Sequence, residues 1–151
     1  MVIKNKHRNI EPVFMDEEHF PVLVTNVGVS SKESEFTTEF EKARVAIEAG
    51  TNIISDLSLI ANPESMQIEY MSRFNVPFSN VAIYETLCRG REHLITPKAS
   101  DFILDFEKQA KRGIDLITIH ATVRYNDDEL ISNSDRLIPT TSRGGAMALK
   151  I

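Results

Sequence analysis

One pattern occurs twice in the chain and restricts its fold more than any other feature. Residues 41–54 and 107–117 each combine an amphipathic helix, a glycine that ends it, one further residue, an Asn or Asp, and then an apolar stretch. The glycines are Gly50 and Gly113, and glycine is the residue type most favoured at the end of a helix. Helices that alternate with strands apolar along their whole length are typical of βαβ units, whose strands form a parallel sheet. The repeat therefore predicts an α/β fold.

The same pattern extends along the chain. About five parallel strands are predicted, at residues 21–24, 52–54, 81–83, 115–119 and 137–139. Four helices are predicted: one capped by Ser30 or Ser31 that runs to about residue 49, then 62–74, 99–112 and a last one from 145. The segment 85–98 is ambiguous, and a short helix with a loop is predicted for 124–137. A repeat of roughly 30 residues is the unit of (β/α) barrels, which take about 250 residues when complete. Residues 21–151 are therefore predicted to form a partial TIM-type barrel, with an open doubly wound sheet as the alternative, and residues 1–20 a polar N-terminal arm.

Composition excludes several classes of function. The chain of 151 residues has 17 Lys and Arg against 22 Asp and Glu, a net charge of −5, and it has no long basic run, so nucleic acid is not an expected partner. The longest apolar stretch, 22–29, is too short to span a membrane, and the N-terminus lacks the apolar segment of a secretory signal, so a cytoplasmic location is expected. Cys88 is the only cysteine, which excludes an internal disulfide and an iron–sulfur cluster ligated by this chain alone.

Polar side chains follow the predicted strands where each of them ends: Asn26, Asp56, Tyr84, His120 and Ser142. In parallel α/β folds the carboxyl ends of the strands share one face, and ligands bind there. Each residue alone has a simpler structural interpretation, such as a turn, a helix cap or a buried ring. Their occurrence after every predicted strand favours a common pocket.

His120 and the segment 140–145 are the strongest candidates for acid–base work and ligand binding. His120 ends an apolar strand, so partial burial is expected to tune its pKa for acid–base or hydrogen-bonding work, whereas a core histidine bonded to a backbone carbonyl is the simpler alternative. Ser142, Arg143 and Gly144 lie where a strand passes into a helix, and a guanidinium beside helix N-terminal amides favours an anion such as phosphate. No two histidines have the spacing of a helical metal site, so no metal ligand is assigned. No residue is assigned a catalytic role either.

Together these residues resemble one enzyme family, the phosphomethylpyrimidine synthases. The resemblance covers about residues 20–150 and rests on the order and spacing of these stretches: Asn26-Val27-Gly28, Asp56-Leu57-Ser58, Val81-Ala82-Ile83-Tyr84, Thr118-Ile119-His120-Ala121 and Ser142-Arg143-Gly144-Gly145. It implies a complete (β/α) barrel that converts 5-aminoimidazole ribotide into hydroxymethylpyrimidine phosphate in thiamine biosynthesis. It also implies radical chemistry with a 4Fe–4S cluster, S-adenosylmethionine and a metal ion as cofactors.

The resemblance assigns substrate contacts to this set of residues: Asn26, Ser55, Tyr84, His120, Ser142, Arg143 and Gly144. A phosphorylated imidazole ribotide suits them, because a guanidinium and glycine amides hold phosphate or ribose oxygens while the aromatic rings orient the ligand. The family has Met where this chain has Ser55, and Asn80 and Thr122 also depart from its pattern. A shifted ligand is therefore an alternative, including divergence toward a relative that makes 5-hydroxybenzimidazole.

The resemblance further implies that part of the family's machinery lies outside this sequence. In the family, other substrate contacts, the metal-binding histidines and a three-cysteine cluster motif follow the position of Gly145, whereas this sequence ends at Ile151. The isolated chain is therefore expected to be inactive and unable to ligate those cofactors completely. One hypothesis is that a second polypeptide supplies the remaining strands and the cluster, and the other is a non-catalytic ribotide-binding or remnant module. In both, open sheet edges are expected to cause self-association or binding of a partner chain.

Overall fold

The protein contains a parallel sheet with helices between its strands. A computed structural model describes residues 1–30, 35–121, 123–124 and 126–149. The strands in these ranges are β1 (Val2–Ile3), β2 (Val13–Phe14), β3 (Val24–Val27), β4 (Ile53–Asp56), β5 (Phe78–Val81) and β6 (Leu116–Thr118). The helices are α1 (Phe36–Glu48), α2 (Glu64–Arg73), α3 (Ile83–His93), α4 (Ala99–Arg112), α5 (Asp127–Ser132) and α6 (Arg143–Ala148). The order β3-β4-β5-β6, parallel throughout, confirms the predicted α/β class and is compatible with a partial barrel.

The two glycines of the repeat end their helices. Gly50 follows α1 with a φ of 97° and Gly113 follows α4 with a φ of 101°, a left-handed conformation that glycine adopts without steric cost. The chain then enters β4 and β6 within a few residues, at Ile53 and Leu116. Within the described ranges, no helix combines the length and apolarity that crossing a membrane requires.

Three of the predicted strands differ most from the observed ones. Strand β3 starts at Val24, where the strand predicted for 21–24 ends, and it pairs with β4 from Val24↔Ile53 to Val27↔Asp56. Strand β5 spans 78–81 rather than 81–83, because the chain turns into α3 directly after it. The strand predicted at 137–139 is wrong: this segment is not a strand, and Leu137 is 98% exposed. Among the described residues, the sheet therefore has four strands instead of about five.

Two sequence-based details fall outside the described residues. They are the cap offered by Ser31 and the departure at Thr122. The structure instead begins α1 at Phe36, directly after Glu35, whose backbone is extended.

The main core lies between the sheet and helices α1 and α2. Buried strand residues Val27, Ile54 and Phe78 form one cluster with buried residues of these helices, including Ala43 and Tyr70. The Tyr70 ring stacks on Phe78 at a centroid distance of 5.5 Å. Because a buried aromatic ring removes a large apolar area from water, this cluster anchors the two helices to one face of the sheet.

The N-terminal residues are tied to the opposite face of the sheet. Strands β1 and β2 pair antiparallel, and their buried residues Ile3 and Val13 form a cluster with Ile53 of β4. Arg8 forms an ion pair with Asp115, a residue whose side chain is 1% exposed. Residues 1–20, predicted as a polar arm, thus contain a short hairpin that covers apolar strand residues, while the domain boundary at residue 20 stays a prediction.

Candidate functional site

Strand alternation divides the polar residues of the sheet between two faces. Asp56 of β4 and Asn80 of β5 bond to α2 and α4, through Gln67 at 2.7 Å and Gln109 at 2.7 Å. Since successive side chains of a strand point to opposite faces, Ser55 lies on the face away from these helices. Asn26 of β3, the register partner of Ser55, occupies the same row of the sheet.

Asp56 does not join the common pocket expected from the strand ends. Its side chain is buried on the helix side, where it accepts hydrogen bonds from the Ser58 backbone N–H at 2.9 Å and the Ser58 hydroxyl at 2.5 Å. Burial raises the pKa of this carboxyl, and the hydrogen bonds from Ser58 and Gln67 offset part of that rise. The structure thus agrees with the simpler interpretation of Asp56, a residue that caps the loop after its strand.

A charged network behind the site fixes the helices that carry it. Arg112 of α4, with a side chain only 4% exposed, donates to Glu85 of α3 at 3.0 Å and to Gln67 of α2 at 2.6 Å. The side-chain amide of Gln67 in turn donates a hydrogen bond to the Asp56 carboxylate. Because Glu85 is the neighbour of Tyr84, this network holds the first turn of α3 in place.

Tyr84 and Arg143 form the centre of the candidate site. The Arg143 Nε donates to the Tyr84 hydroxyl at 3.2 Å, and the guanidinium carbon lies 5.0 Å from the centroid of the Tyr84 ring. The same guanidinium donates to the backbone carbonyl of Leu57, just beyond β4, at 3.0 Å. A cation over an aromatic face is a favourable arrangement. Residues far apart in sequence are thus brought together at the carboxyl ends of β4 and β5.

The His120 ring also lies against the Tyr84 ring. The two rings stack with centroids 6.5 Å apart and planes inclined by 25°. The His120 Nδ1 is buried and has no hydrogen-bond partner among the described residues. A buried ring nitrogen without a partner is energetically unfavourable, which is typical of sites completed by a ligand or water.

Gly144 permits the close approach of α6 to His120. A Cβ atom added at Gly144 would lie 2.7 Å from His120 Nδ1 and closer still to two other ring atoms, so no larger residue fits without displacement. Ser142 caps the same helix, because its hydroxyl accepts the backbone N–H of Gly145 at 3.1 Å. The segment 142–144 therefore docks α6 against Tyr84 and His120.

The structure thus brings most of the sequence-based site residues into one cluster, and the role of each stays a prediction. Tyr84, His120 and the segment 142–144 meet directly, whereas Asn26 and Ser55 lie on the neighbouring strands, with Asn26 exposed and Ser55 only 6% exposed. Sequence reasoning missed the Leu57 carbonyl, because a backbone acceptor leaves no signal in the sequence.

The whole chain is similar to one family of known proteins. The profile of a family described as "Radical SAM ThiC family" matches residues 1–151. A phosphomethylpyrimidine synthase 1 from Methanosarcina mazei is 30% identical over 97% of this chain and 34% of its own length. A phosphomethylpyrimidine synthase from Archaeoglobus fulgidus is 36% identical over 82% of this chain and 29% of its own, and one from Methanocaldococcus jannaschii is 30% identical over 97% and 35%. The chain therefore spans about a third of the length of these curated relatives, and the predicted resemblance is confirmed.

Proposed function

This chain belongs to the radical SAM ThiC family, and from that premise we propose that it carries part of the ribotide site of a phosphomethylpyrimidine synthase reaction. The proposed ligand is 5-aminoimidazole ribotide, which that reaction converts into hydroxymethylpyrimidine phosphate for thiamine. A second polypeptide is proposed to supply the remaining strands and the cofactor site. The matched relatives are phosphomethylpyrimidine synthases, and this supports the choice of ligand.

The observation that carries the proposal is the junction of Tyr84, His120 and Arg143 at one end of the sheet. An imidazole ribotide combines a flat heterocycle, a sugar and a phosphate. Two stacked rings suit the heterocycle, a guanidinium suits the phosphate, and the buried Nδ1 of His120 suits a single hydrogen bond to the ligand. Because Tyr84 and the Leu57 carbonyl already hold the guanidinium, little side-chain entropy is lost when an anion binds.

The residues of this chain do not fit the cluster of the family. An iron–sulfur cluster is held by several thiolates, and Cys88 is the only cysteine. It lies half-buried in α3, where burial raises the pKa of its thiol and disfavours the thiolate form. In the part of the chain that the structure describes, no group of three or more His, Cys, Asp or Glu could hold a metal ion. The proposal therefore places the cluster, the metal ion and the chemistry of S-adenosylmethionine outside these residues.

The edges of the sheet support the proposal of a second polypeptide. Strand β3 ends the sheet on one side, and Leu23 and Val24 there are 49% and 52% exposed. On the other side, Ile119 directly after β6 is 55% exposed. An edge strand with exposed apolar residues pairs readily with another chain. When the protein is alone, a further copy of itself is the proposed occupant.

Light scattering on the purified chain tests the proposed partner. We expect a mass above that of the monomer that rises with concentration. Val24→Lys places a charge on the β3 edge and should lower the mass, whereas Ile103→Lys, on the outer face of α4, should leave it unchanged. A monomer at every concentration would count against the open-edge proposal.

Ribotide binding tests the proposed site. We expect 5-aminoimidazole ribotide to raise the melting temperature, since a ligand at 100 times its Kd stabilises a protein by about 2.7 kcal/mol. His120→Ala should remove this effect, while His93→Ala, at the exposed end of α3, serves as the matched control. Absence of any stabilisation in the unmodified protein, confirmed by calorimetric titration, would reject the proposed site.

A further inference from the structure

Two serines lie side by side on the face of the sheet that points away from α2 and α4. Ser55 of β4 and Ser79 of β5 are register partners, so their Cα atoms are about 4.8 Å apart. Their neighbours Asp56 and Asn80 bond to the helices on the other face. Strand alternation therefore directs both serine hydroxyls to the same side as Asn26.

The two hydroxyls lack a partner in their surroundings. Each serine is 6% exposed, and neither hydroxyl makes a side-chain hydrogen bond among the described residues, yet neither oxygen is among the fully buried polar atoms that lack a partner. Both hydroxyls therefore keep contact with solvent on a face of the sheet that is otherwise largely covered. Two adjacent hydroxyls of this kind are available to a polar ligand.

The surroundings of the pair restrict the chemistry of that group. The row of the sheet that contains both serines also holds Asn26 and Leu116, so it carries no charge. Below it, Ile53 is covered by the hairpin of β1 and β2. Above it, Val81 packs with Tyr84 in a second buried cluster. A neutral group that both donates and accepts hydrogen bonds suits this row, because no cation lies in it to offset the charge of a phosphate or carboxylate.

We propose that Ser55 and Ser79 bind the diol of a ribose, which makes Ser79 an additional ligand-binding residue. Neighbouring hydroxyls of a sugar ring donate and accept as serine hydroxyls do, and the spacing of adjacent strands allows each serine to face one of them. This inference rests on the proposed function, because it requires a ribotide whose heterocycle lies at Tyr84 and His120. It assigns the sugar to the row of the sheet below those rings.

Calorimetric titration with two ligands tests the inference. The probes are 5-aminoimidazole ribotide and its 2′,3′-dideoxyribosyl analogue, and the variants are Ser55→Ala, Ser79→Ala and, as an exposed control on α4, Ser100→Ala. We expect each of the first two variants to weaken ribotide binding about 3- to 10-fold, the effect of one hydrogen bond, and to leave binding of the analogue unchanged. Ser100→Ala should bind both ligands like the unmodified protein.

The possible results separate the two proposals. If Ser79→Ala binds the ribotide as tightly as the unmodified protein while His120→Ala does not, the serine pair does not bind the sugar and the proposed site stands. If Ser79→Ala weakens both ligands equally, its role is structural and the inference is wrong. If the unmodified protein binds neither ligand, the proposed function and this inference fail together. Melting temperatures of the serine variants, expected close to that of the unmodified protein, exclude misfolding as the cause.

Discussion

Replacing Gly144 by alanine tests whether the contact between α6 and His120 forms the site. The added Cβ would lie 2.7 Å from His120 Nδ1, where ordinary contacts begin at 3.4 Å. Because the His120 ring also stacks on Tyr84, it has little room to retreat. Overpacking of this kind costs about 1–3 kcal/mol, and the better helix propensity of alanine returns about 1 kcal/mol. We therefore expect a net destabilisation of about 0–2 kcal/mol, together with a displaced His120 ring.

Stability and ring position are measured separately. At about 2–4 °C per kcal/mol for a chain of this size, the melting temperature should fall by up to about 8 °C. The chemical shifts of the His120 ring in a two-dimensional NMR spectrum should change, and ribotide affinity should fall at least about 10-fold, the equivalent of 1.4 kcal/mol. The control is Gly145→Ala, where the added Cβ would lie 3.2 Å from the Ser142 hydroxyl and away from the ring. Unchanged His120 shifts and unchanged affinity in Gly144→Ala would refute the argument.

Three further expectations concern stability. Arg112→Met leaves Glu85 buried without its partner and should lower the free energy of unfolding, measured in urea, by about 3–5 kcal/mol. Arg44→Met, which removes exposed ion pairs, should change it little. Equal effects of the two variants would contradict the buried network. Burial raises the pKa of Asp56 in the folded state, so its contribution to stability is largest at low pH and declines as pH rises from the unfolded pKa through the folded one. The unfolding free energy of the protein relative to Asp56→Asn should fall across that range, and a rise would show the opposite shift. Ser142→Ala removes the cap of α6 and should lower stability by about 0.5–2 kcal/mol, measured by thermal unfolding; no change would mean that the cap contributes nothing.

The repeat of helix, glycine and strand was sufficient to predict the fold class, because burial on both faces leaves an apolar pattern that a parallel sheet requires. Strand limits were less predictable. The residues 78–81 include Ser79 and Asn80, and polar residues in a strand give no apolar signal. This holds even for Asn80, whose side-chain N–H is bonded to Gln109 inside the protein. The apolar run at 137–139 led to the opposite error, because a strand was predicted there and none forms. Apolar composition alone does not provide a neighbouring strand to pair with.

The site was predictable only as far as position in the chain determines position in space. Residues after a strand reach the carboxyl edge of the sheet, and for Tyr84 and His120 this was sufficient, whereas Arg143 joins the same cluster although no strand forms at 137–139. Asp56 lies inside its strand, where a shift of one residue decides between the two faces, and it points to the helices while Ser55 points away from them. When both faces of a strand are buried, its sequence shows no alternation of apolar and polar residues. The sequence of the strand then cannot tell which of its side chains point to the helices. The partner of Asp56 is Gln67, a polar residue on the buried side of α2, and this hydrogen bond determines which face of the sheet Asp56 points to. The informative signal was therefore a glutamine on the apolar side of a helix rather than any residue of the strand.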